Sequence, residues 1–145
     1  MNYEPPALQY EGALGDVLHR LVPKPGRVRP STDWRVHNLV EYIDRHPAMK
    51  GNLENACREL KLDISPAYAA RLFKRCTGLG PMEYIKKKRL RLAAERLTAT
   101  DLPVKVIAAE CGYRKPGDFS RSFKEQYHLS PSGFRKRTVR LKLSA

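Results

Sequence analysis

The amino-acid sequence predicts an all-α protein in which two helix-turn-helix subdomains are joined by a long central helix. Three observations lead to this fold class. Apolar residues recur at helical spacing along most of the chain. Serine-proline pairs and glycines stand where helices would begin and end. The segment that begins at Pro66 has a similar counterpart fifty positions later, at Pro116, which indicates two related units.

The first thirty residues differ from the rest of the chain. Five prolines interrupt them, and the apolar residues of Leu14–Leu21 have the spacing of a short amphipathic helix. A basic linker with Lys24, Arg27 and Arg29 follows. We expect residues 1–30 to form an N-terminal tail that packs on the domain, with a phosphate-contacting arm or a dimer contact as the alternative.

The first helix-turn-helix unit and the linker helix are expected over residues 31–97. Ser31-Thr32-Asp33 caps one helix and Asn52 caps a second. Ser65-Pro66 begins a third helix, which ends at Gly78 because glycine readily adopts a left-handed backbone. One side of this third helix is apolar. The opposite side is a stripe of small residues and cations, namely Ala67, Ala70, Arg71 and Lys74.

The long linker helix begins at Pro81 and carries a basic run, Lys86–Arg91. We interpret this run as either a phosphate-facing surface or an ordinary solvated face. The apolar residues of the same helix are expected in the core. They are Tyr84, Ile85, Leu90, Ala93, Ala94 and Leu97.

The second unit is expected over residues 98–138. A short helix precedes a turn at Gly112, and the repeated stripe helix follows. Ser130-Pro131 then begins a last short helix, which extends to about Arg137. Residues 139–145 are expected to be a basic, frayed tail. The stripe of the second unit consists of Gly117, Ser120, Arg121 and Lys124.

The composition limits the class of partner. The formal net charge of +13 indicates a polyanion, either nucleic acid or an anionic membrane surface. No apolar run is long enough to span a bilayer, and the first ten residues lack the features of a signal peptide. Three widely spaced cysteines and four scattered histidines predict neither a disulfide framework nor a metal site, and we expect no cofactor. No catalytic arrangement is recognisable, so an enzyme is not expected.

Three runs of residues resemble the signature of a known family. They are I-A-A-E-C-G-Y at Ile107–Tyr113, D-F-S-R-S-F-K at Asp118–Lys124 and L-S-P-S-G-F-R at Leu129–Arg135. With the first unit and the linker helix, the chain resembles the AraC/XylS family of bacterial transcription regulators over about Thr32–Arg137. The resemblance implies a cytoplasmic, nucleoid-associated regulator that places one helix of each unit in successive major grooves of double-stranded DNA.

The sequence departs from the family pattern in three respects. The turn of the first unit carries Lys61 where the family usually has glycine, and it is about two residues longer, through Asp63-Ile64. The tilt of the first recognition helix is therefore left open. The 145 residues also contain no small-molecule domain of the kind that most family members carry.

The resemblance also implies site residues. Base-reading positions fall on Ala67, Ala70 and Arg71 in the first unit and on Pro116, Gly117 and Arg121 in the second. Either arginine can donate two hydrogen bonds to guanine, and phosphate contact alone is the alternative for each. Asp118 is expected to cap its own helix. From the charge pattern, the candidate phosphate contacts are Lys74, Arg114, Lys115, Lys124 and Arg135.

Aromatic residues recur in both units at helical spacing. Such residues can form a stacking platform for single-stranded nucleic acid. Their spacing instead groups them with the aliphatic residues, so we expect them in the core. They are Tyr68, Phe73, Tyr84, Phe119, Phe123, Tyr127 and Phe134.

The leading interpretation is a sequence-specific, double-stranded DNA-binding transcription regulator. The alanine, proline and glycine at base-reading positions favour a nonspecific or architectural DNA binder as the first alternative. The amphipathic Leu14–Leu21 segment favours a protein-interaction partner of a larger regulator as the second. RNA polymerase is a further candidate partner. We expect a monomer or weak dimer, since one chain carries two recognition helices.

Overall fold

The computed structural model describes residues 33–46 and 53–144. These residues form seven helices and contain no strand, so the predicted all-α fold class is confirmed. The expected tail of residues 1–30, the Ser31-Thr32 pair and the Asn52 cap lie outside the described residues. The helices are α1 (Trp34–Arg45), α2 (Leu53–Glu59), α3 (Pro66–Thr77), α4 (Pro81–Ala99), α5 (Val104–Glu110), α6 (Pro116–Tyr127) and α7 (Pro131–Leu143).

The described residues divide into two compact units, and the division falls within α4. The first unit consists of residues 33–46 and 53–89, and the second consists of residues 90–144. Helix α4 therefore contributes the side chains of its first half to one core and those of its second half to the other.

The first unit has a core formed by α1, α2, α3 and the beginning of α4. Helix α1 begins after Asp33, whose side chain accepts a hydrogen bond from the backbone N–H of Arg35 at 2.9 Å and so satisfies a free donor of the first turn. The Phe73 ring of α3 packs edge to face on Tyr84 of α4, with 5.3 Å between ring centroids. The buried aliphatic residues around this pair include Val36, Leu39, Ile43, Ala56, Leu72 and Ile85.

The second unit has a core built on three phenylalanines. Phe123 of α6 lies 5.6 Å from Phe119 on the same helix and 5.3 Å from Phe134 of α7, measured between ring centroids. The prediction that the apolar residues of α4 are buried is confirmed for both halves of the helix, the first half in the core of the first unit and the second half in this core. The aliphatic residues that pack on the rings are Leu90, Ala93, Ala94, Leu97, Ile107 and Ala108.

Serine-proline pairs begin the helices where the sequence predicts them. The Ser65 hydroxyl accepts from the backbone N–H of Tyr68 at 3.2 Å, and the Ser130 hydroxyl accepts from that of Gly133 at 3.1 Å. In both cases proline occupies the first helical position, where no N–H is needed. Gly78 ends α3 with φ of 82°, as expected.

Both helix-turn-helix turns use the same backbone hydrogen bonds. In the first turn, the N–H of Lys61 donates to the carbonyl of Arg58 at 3.1 Å, and the N–H of Leu62 donates to that of Cys57 at 2.9 Å. This arrangement closes the end of a helix through one left-handed residue, which here is Lys61 with φ of 52°. The second turn has the equivalent bonds, and Gly112 occupies the left-handed position with φ of 91°.

The first turn exceeds the second by a single residue. Residues 60–65 separate α2 from α3, whereas residues 111–115 separate α5 from α6. The expectation of about two additional residues concerns the family pattern, and it stays a prediction. The additional residue follows the shared hydrogen-bonded turn, so it leaves the end of α2 unchanged.

Helix α7 is longer than the sequence suggested. It ends at Leu143 rather than near Arg137, so the expectation of a frayed tail is wrong as far as the described residues extend. Thr138 is buried, and the Nζ atom of Lys142 donates to the carbonyl of Thr98 at 2.7 Å. These two contacts hold the additional turns of α7 on the second half of α4.

Candidate nucleic-acid interface

Helix α3 presents a polar stripe opposite a buried apolar side. The apolar side fixes the rotation of the helix about its axis, since these residues reach the first core. Ala70 belongs to the predicted stripe but is half-buried and packs against that core. The exposed members of the stripe are Ala67, Arg71 and Lys74, and the buried side consists of Ala69, Leu72 and Phe73.

Helix α6 has the same arrangement in the second unit. Phe119 and Phe123 anchor it in the core, and the predicted base-reading residues are all exposed. A Cβ atom placed on Gly117 would have no other atom within 4 Å, so packing within the protein does not require glycine there. The exposed residues are Pro116, Gly117, Arg121 and Lys124, and Ser120 is half-buried.

The cations on and next to the recognition helices α3 and α6 are unpaired. No hydrogen bond or ion pair joins them to any residue that the structure describes. Exposed cations in this state remain available to an external anion, because no carboxylate is bound to them. They are Arg71, Lys74 and Arg75 in the first unit and Arg114, Lys115, Arg121 and Lys124 in the second.

The basic run of α4 differs, because its cations are engaged within the protein. The Nζ atom of Lys88 lies 3.0 Å from Oδ1 of Asp44, and the Nε atom of Arg91 lies 3.4 Å from a glutamate carboxylate one turn further along the helix. Lys86 and Arg89 also have partners. Of the two interpretations of this run, the structure favours the solvated face over a phosphate-facing surface.

Asp44 also connects α1 to α4. It accepts a hydrogen bond from the Tyr84 hydroxyl at 3.1 Å. Burial and the neighbouring carboxylate raise the pKa of the Tyr84 phenol, so the hydroxyl keeps its proton and continues to donate. The helices that support α3 are therefore held together by a polar contact in addition to the apolar core.

Arg135 has a structural role that the sequence did not indicate. Its guanidinium donates to the carbonyl oxygens of Leu97 at 3.2 Å, Thr100 at 3.3 Å and Leu102 at 2.7 Å. These carbonyls lie at the end of α4 and in the loop after it, where a helix leaves acceptors without intrahelical partners. The predicted phosphate contact of Arg135 is corrected accordingly, because its donors are used inside the second unit.

Tyr68 is exposed on α3, so the prediction that it lies in the core is wrong. Its side chain is 37% exposed, and the Arg35 guanidinium carbon lies 5.7 Å from the centroid of its ring. The signal was present in the sequence, since Tyr68, Arg71 and Arg75 stand at i, i+3 and i+7 and share one edge of the helix. Tyr68 and Arg75 are the surface residues of this helix that sequence reasoning missed.

Asp118 does not cap α6, contrary to the sequence-based expectation. Lys115 occupies the cap position, and no side chain makes a capping hydrogen bond there. Asp118 is the third residue of the helix and is exposed. Its carboxylate is favourable near the positive end of the helix dipole, but it opposes the approach of phosphate.

Residues 33–46 and 53–144 contain neither a metal-binding cluster nor a helix that could span a bilayer. No cluster of histidine, cysteine and carboxylate side chains in this part of the chain could hold a metal ion. Every helix of the described ranges is too short or too polar to span a bilayer. None of the three cysteines forms a disulfide; Cys57 and Cys111 are buried and Cys76 is half-buried.

A family model and curated bacterial regulators, among them SoxS and RclR, match this sequence. The family model, described as a helix-turn-helix domain, covers residues 60–137. The regulatory protein SoxS of Salmonella typhimurium is 34% identical over 102 residues, which are 70% of this chain and 94% of SoxS. The RCS-specific HTH-type transcriptional activator RclR of Escherichia coli K12 is 33% identical over 128 residues, which are 88% of this chain and 37% of RclR.

Solved structures agree with the fold. The C-terminal domain of AraT, a response regulator from Geobacillus stearothermophilus, has a TM-score of 0.68 at 31% identity over 77% of this chain and 88% of that domain. A probable AraC family transcriptional regulator from Rhodopseudomonas palustris has a TM-score of 0.65 at 27% identity, over 73% and 98%. The DNA-binding domain of AdpA in complex with a target DNA has a TM-score of 0.70 at 22% identity, over 77% and 98%, and supports the fold alone. The chain thus belongs to the AraC/XylS family of bacterial DNA-binding transcription regulators.

Proposed function

We propose that α3 and α6 each enter a major groove of double-stranded DNA, and that one chain reads two successive grooves on one face of the duplex. The observation that carries this proposal is that each helix combines a stripe of small residues with an exposed, unpaired arginine. Small residues let a helix backbone approach the base edges, and an arginine without an internal partner can donate to them.

Arg71 and Arg121 are the proposed base-reading residues. Each is the sixth residue of its helix, on the side opposite the buried face. Two parallel hydrogen bonds from a guanidinium to O6 and N7 of guanine distinguish that base from the others by about 1–3 kcal/mol. A contact of this kind in each unit would give one specific element per groove.

The small residues of the two stripes contribute differently. Ala67 and Ala70 can place a methyl group against the methyl group of thymine. Pro116 and Gly117 offer no side-chain donor, and the open space around Gly117 supports close approach of the α6 backbone to DNA. The second unit therefore has fewer means of reading bases than the first.

Four cations are the proposed phosphate contacts. Contacts of this class position a protein on the duplex, and they release counterions, so that affinity falls steeply as salt increases. Two of these residues precede α6 and the others lie on the recognition helices themselves. They are Lys74, Arg114, Lys115 and Lys124.

A monomer or weak dimer is the proposed binding state. One chain carries both recognition helices, so no second copy is needed to contact two grooves. A regulator bound next to a promoter lies close to RNA polymerase, which is the proposed protein partner. The nucleoid in the bacterial cytoplasm is the proposed location.

A nonspecific, architectural DNA binder is the second candidate function. It is favoured by the scarcity of base-reading groups on α6, where Pro116 and Gly117 stand beside a lone arginine. Such a protein would bind all duplexes with similar affinity through its phosphate contacts.

Selection of binding sites from random duplex DNA tests the proposal. The selection is run at about 150 mM salt, where phosphate contacts alone are weak. We expect an enriched motif with two half-elements separated by about one helical turn, roughly 10 base pairs. Arg71→Ala should lose one half-element and Arg121→Ala the other.

The matched control is Arg58→Ala, since Arg58 is an exposed arginine of the first unit that pairs with Glu54 and lies outside the recognition helix. It should retain both half-elements. Absence of enrichment, with binding that only weakens as salt increases, would contradict groove reading and support the architectural alternative.

A further inference from the structure

A second cationic cluster lies on the edge of α3, next to the start of α1. We call it the α1–α3 edge cluster; it consists of Asp33, Arg35, Tyr68 and Arg75. Arg35 is held in place by Asp33, because its Nε atom donates to Oδ1 at 3.0 Å and its Nη2 atom donates to Oδ2 at 2.7 Å. These hydrogen bonds lower the pKa of Asp33 to about 2, so the pair stays ionised at neutral pH.

The fixed guanidinium of Arg35 in turn positions Tyr68. It stands over the aromatic ring at 5.7 Å, a cation–π distance that restricts the ring on the first turn of α3. The Tyr68 side chain is nevertheless partly open to solvent. The ring is therefore oriented by contacts with α1 while part of its surface remains available to a partner.

Arg75 completes the cluster two turns along the same helix edge. It is exposed, and its charge contributes to the lowered pKa of Asp33. No ion pair or hydrogen bond holds it to the described residues. With one carboxylate and two guanidinium groups, the cluster carries one net positive charge and the unused N–H donors of Arg35 and Arg75.

The chemistry of this cluster fits a phosphodiester rather than a base edge. Tyr68 and Arg75 stand to one side of the stripe that ends in Ala67 and Lys74, and the sides of a recognition helix face the walls of the groove. Guanidinium and phenol groups are typical donors to phosphate oxygens. We propose that Tyr68 and Arg75 bind the phosphate backbone beside the groove that α3 enters, and that Arg35 holds Tyr68 in position for this contact.

This site is confined to the first unit. The residues that correspond to Tyr68 and Arg75 on α6 are Asp118 and Glu125, both carboxylates. The proposed backbone contact therefore makes the two recognition helices unequal in how they grip DNA. The proposal rests on the proposed function only in requiring that α3 lies against duplex DNA.

The first experiment measures the salt dependence of binding by the full chain. Two duplexes are used, the selected site and a mixed-sequence duplex of the same length. We expect Arg75→Ala to reduce the slope of log affinity against log salt by about one on both duplexes. Tyr68→Phe, which removes only the hydroxyl, should weaken binding roughly two- to tenfold on both.

The matched control is Arg45→Ala, which removes an exposed arginine from the other end of α1. It should leave the slope and the affinity unchanged. The half-element selected by the first unit should be the same for Arg75→Ala, Tyr68→Phe and the native chain, because phosphate contacts carry no sequence information.

A second experiment locates the phosphate. Single phosphates of the selected duplex are replaced by neutral methylphosphonates, one position at a time. Replacement of phosphates beside the half-element of the first unit should lower the affinity of the native chain. The same replacements should lower the affinity of a Tyr68→Phe/Arg75→Ala double variant only slightly, because that variant already lacks the contact. Equal losses for both proteins at every position would overturn the proposal.

The outcomes separate this proposal from groove reading. If Arg71→Ala loses its half-element while Arg75→Ala and Tyr68→Phe leave the salt slope and affinity unchanged, the backbone site is refuted and groove reading stands. If Arg71→Ala keeps its half-element, groove reading by Arg71 fails. The backbone site is then decided by the effect of Arg75→Ala and Tyr68→Phe on the salt slope and affinity for the mixed-sequence duplex.

Discussion

The two recognition helices carry different residues at two of three equivalent positions along one edge. The third, sixth and tenth residues are Tyr68, Arg71 and Arg75 on α3, and Asp118, Arg121 and Glu125 on α6. The central arginine is shared, whereas the flanking residues change from aromatic and basic to acidic. Similar helical scaffolds thus hold one common base-reading candidate within two unlike electrostatic surroundings.

The phosphate-binding candidates also occupy different places in the two units. In the second unit, Arg114 and Lys115 precede α6, and in the first unit Ile64 and Ser65 occupy those positions before α3. The first unit instead has cations on the side of its recognition helix. The two units therefore share the lysine on the recognition helix, Lys74 and Lys124, and differ in where their other proposed phosphate contacts lie.

The largest effect is expected for Arg135, which lies on the helix that follows the second recognition helix. Arg135 of α7 donates three hydrogen bonds to carbonyls at and after the end of α4. The equivalent position of the first unit, fifty residues earlier, is the buried Ile85. We expect Arg135→Ala to lower the free energy of unfolding by about 2–4 kcal/mol, since three carbonyls lose a charged donor. Urea unfolding followed by circular dichroism measures this change.

Arg137→Ala is the control for this prediction, because Arg137 is an exposed arginine on the same helix. Its unfolding free energy should stay within about 0.5 kcal/mol of the native value. Equal stability of the Arg135→Ala and Arg137→Ala variants would contradict the structural role assigned to Arg135.

Exchange of the third residue between the two helices tests the electrostatic difference directly. Tyr68→Asp should weaken binding to a mixed-sequence duplex by roughly tenfold, because it adds a negative charge where the backbone is expected. Asp118→Tyr should strengthen it by a smaller factor, roughly two- to fivefold. Fluorescence anisotropy at two salt concentrations measures both, and changes of the same sign would contradict the comparison.

A smaller effect is expected at the left-handed residue of each turn. Lys61 occupies this position in the first unit and Gly112 in the second. Lys61→Gly should raise the free energy of unfolding by about 1 kcal/mol, because the steric cost of the left-handed backbone is removed. Gly112→Ala should lower it by about 1–2 kcal/mol. Thermal unfolding of both variants checks the pair, and a destabilised Lys61→Gly variant would show that Lys61 contributes more than its backbone.

The smallest effect is expected where the recognition helices end. Gly78 ends α3 and His128 ends α6, both with left-handed φ values of 82° and 59°. His128→Gly should stabilise the protein by about 0.5–1 kcal/mol, because glycine removes the steric cost of the left-handed backbone. The thermal midpoint would move upward, and an unchanged midpoint would indicate that His128 makes a compensating contact.

Most of the fold could be predicted because the signals are local. Ser65 and Ser130 accept the capping bonds that their sequence context predicts, and helical spacing identified the apolar faces of α1 and α4. The hydrogen-bonded turn around Lys61 was not predicted, because its backbone conformation is visible only in the structure.

The errors concern residues whose environment depends on distant parts of the chain. Arg135 binds carbonyls that lie 33 to 38 residues earlier, and no local pattern indicates such a contact. Helix α7 continues because Lys142 reaches Thr98. Tyr68 was assigned to the core because its helical spacing grouped it with the aliphatic residues, although it also shares an edge of α3 with Arg71 and Arg75 and is exposed there.

The central claim is that one chain reads two grooves on one face of DNA. The most direct test compares the selected duplex with a copy that has five base pairs, about half a helical turn, inserted between its two half-elements. The insertion rotates one half-element to the opposite face. We expect affinity to fall to that of a mixed-sequence duplex for which both half-elements are scrambled. Unchanged affinity for the inserted duplex would contradict the claim, since it would show that the two helices do not act as one reading unit.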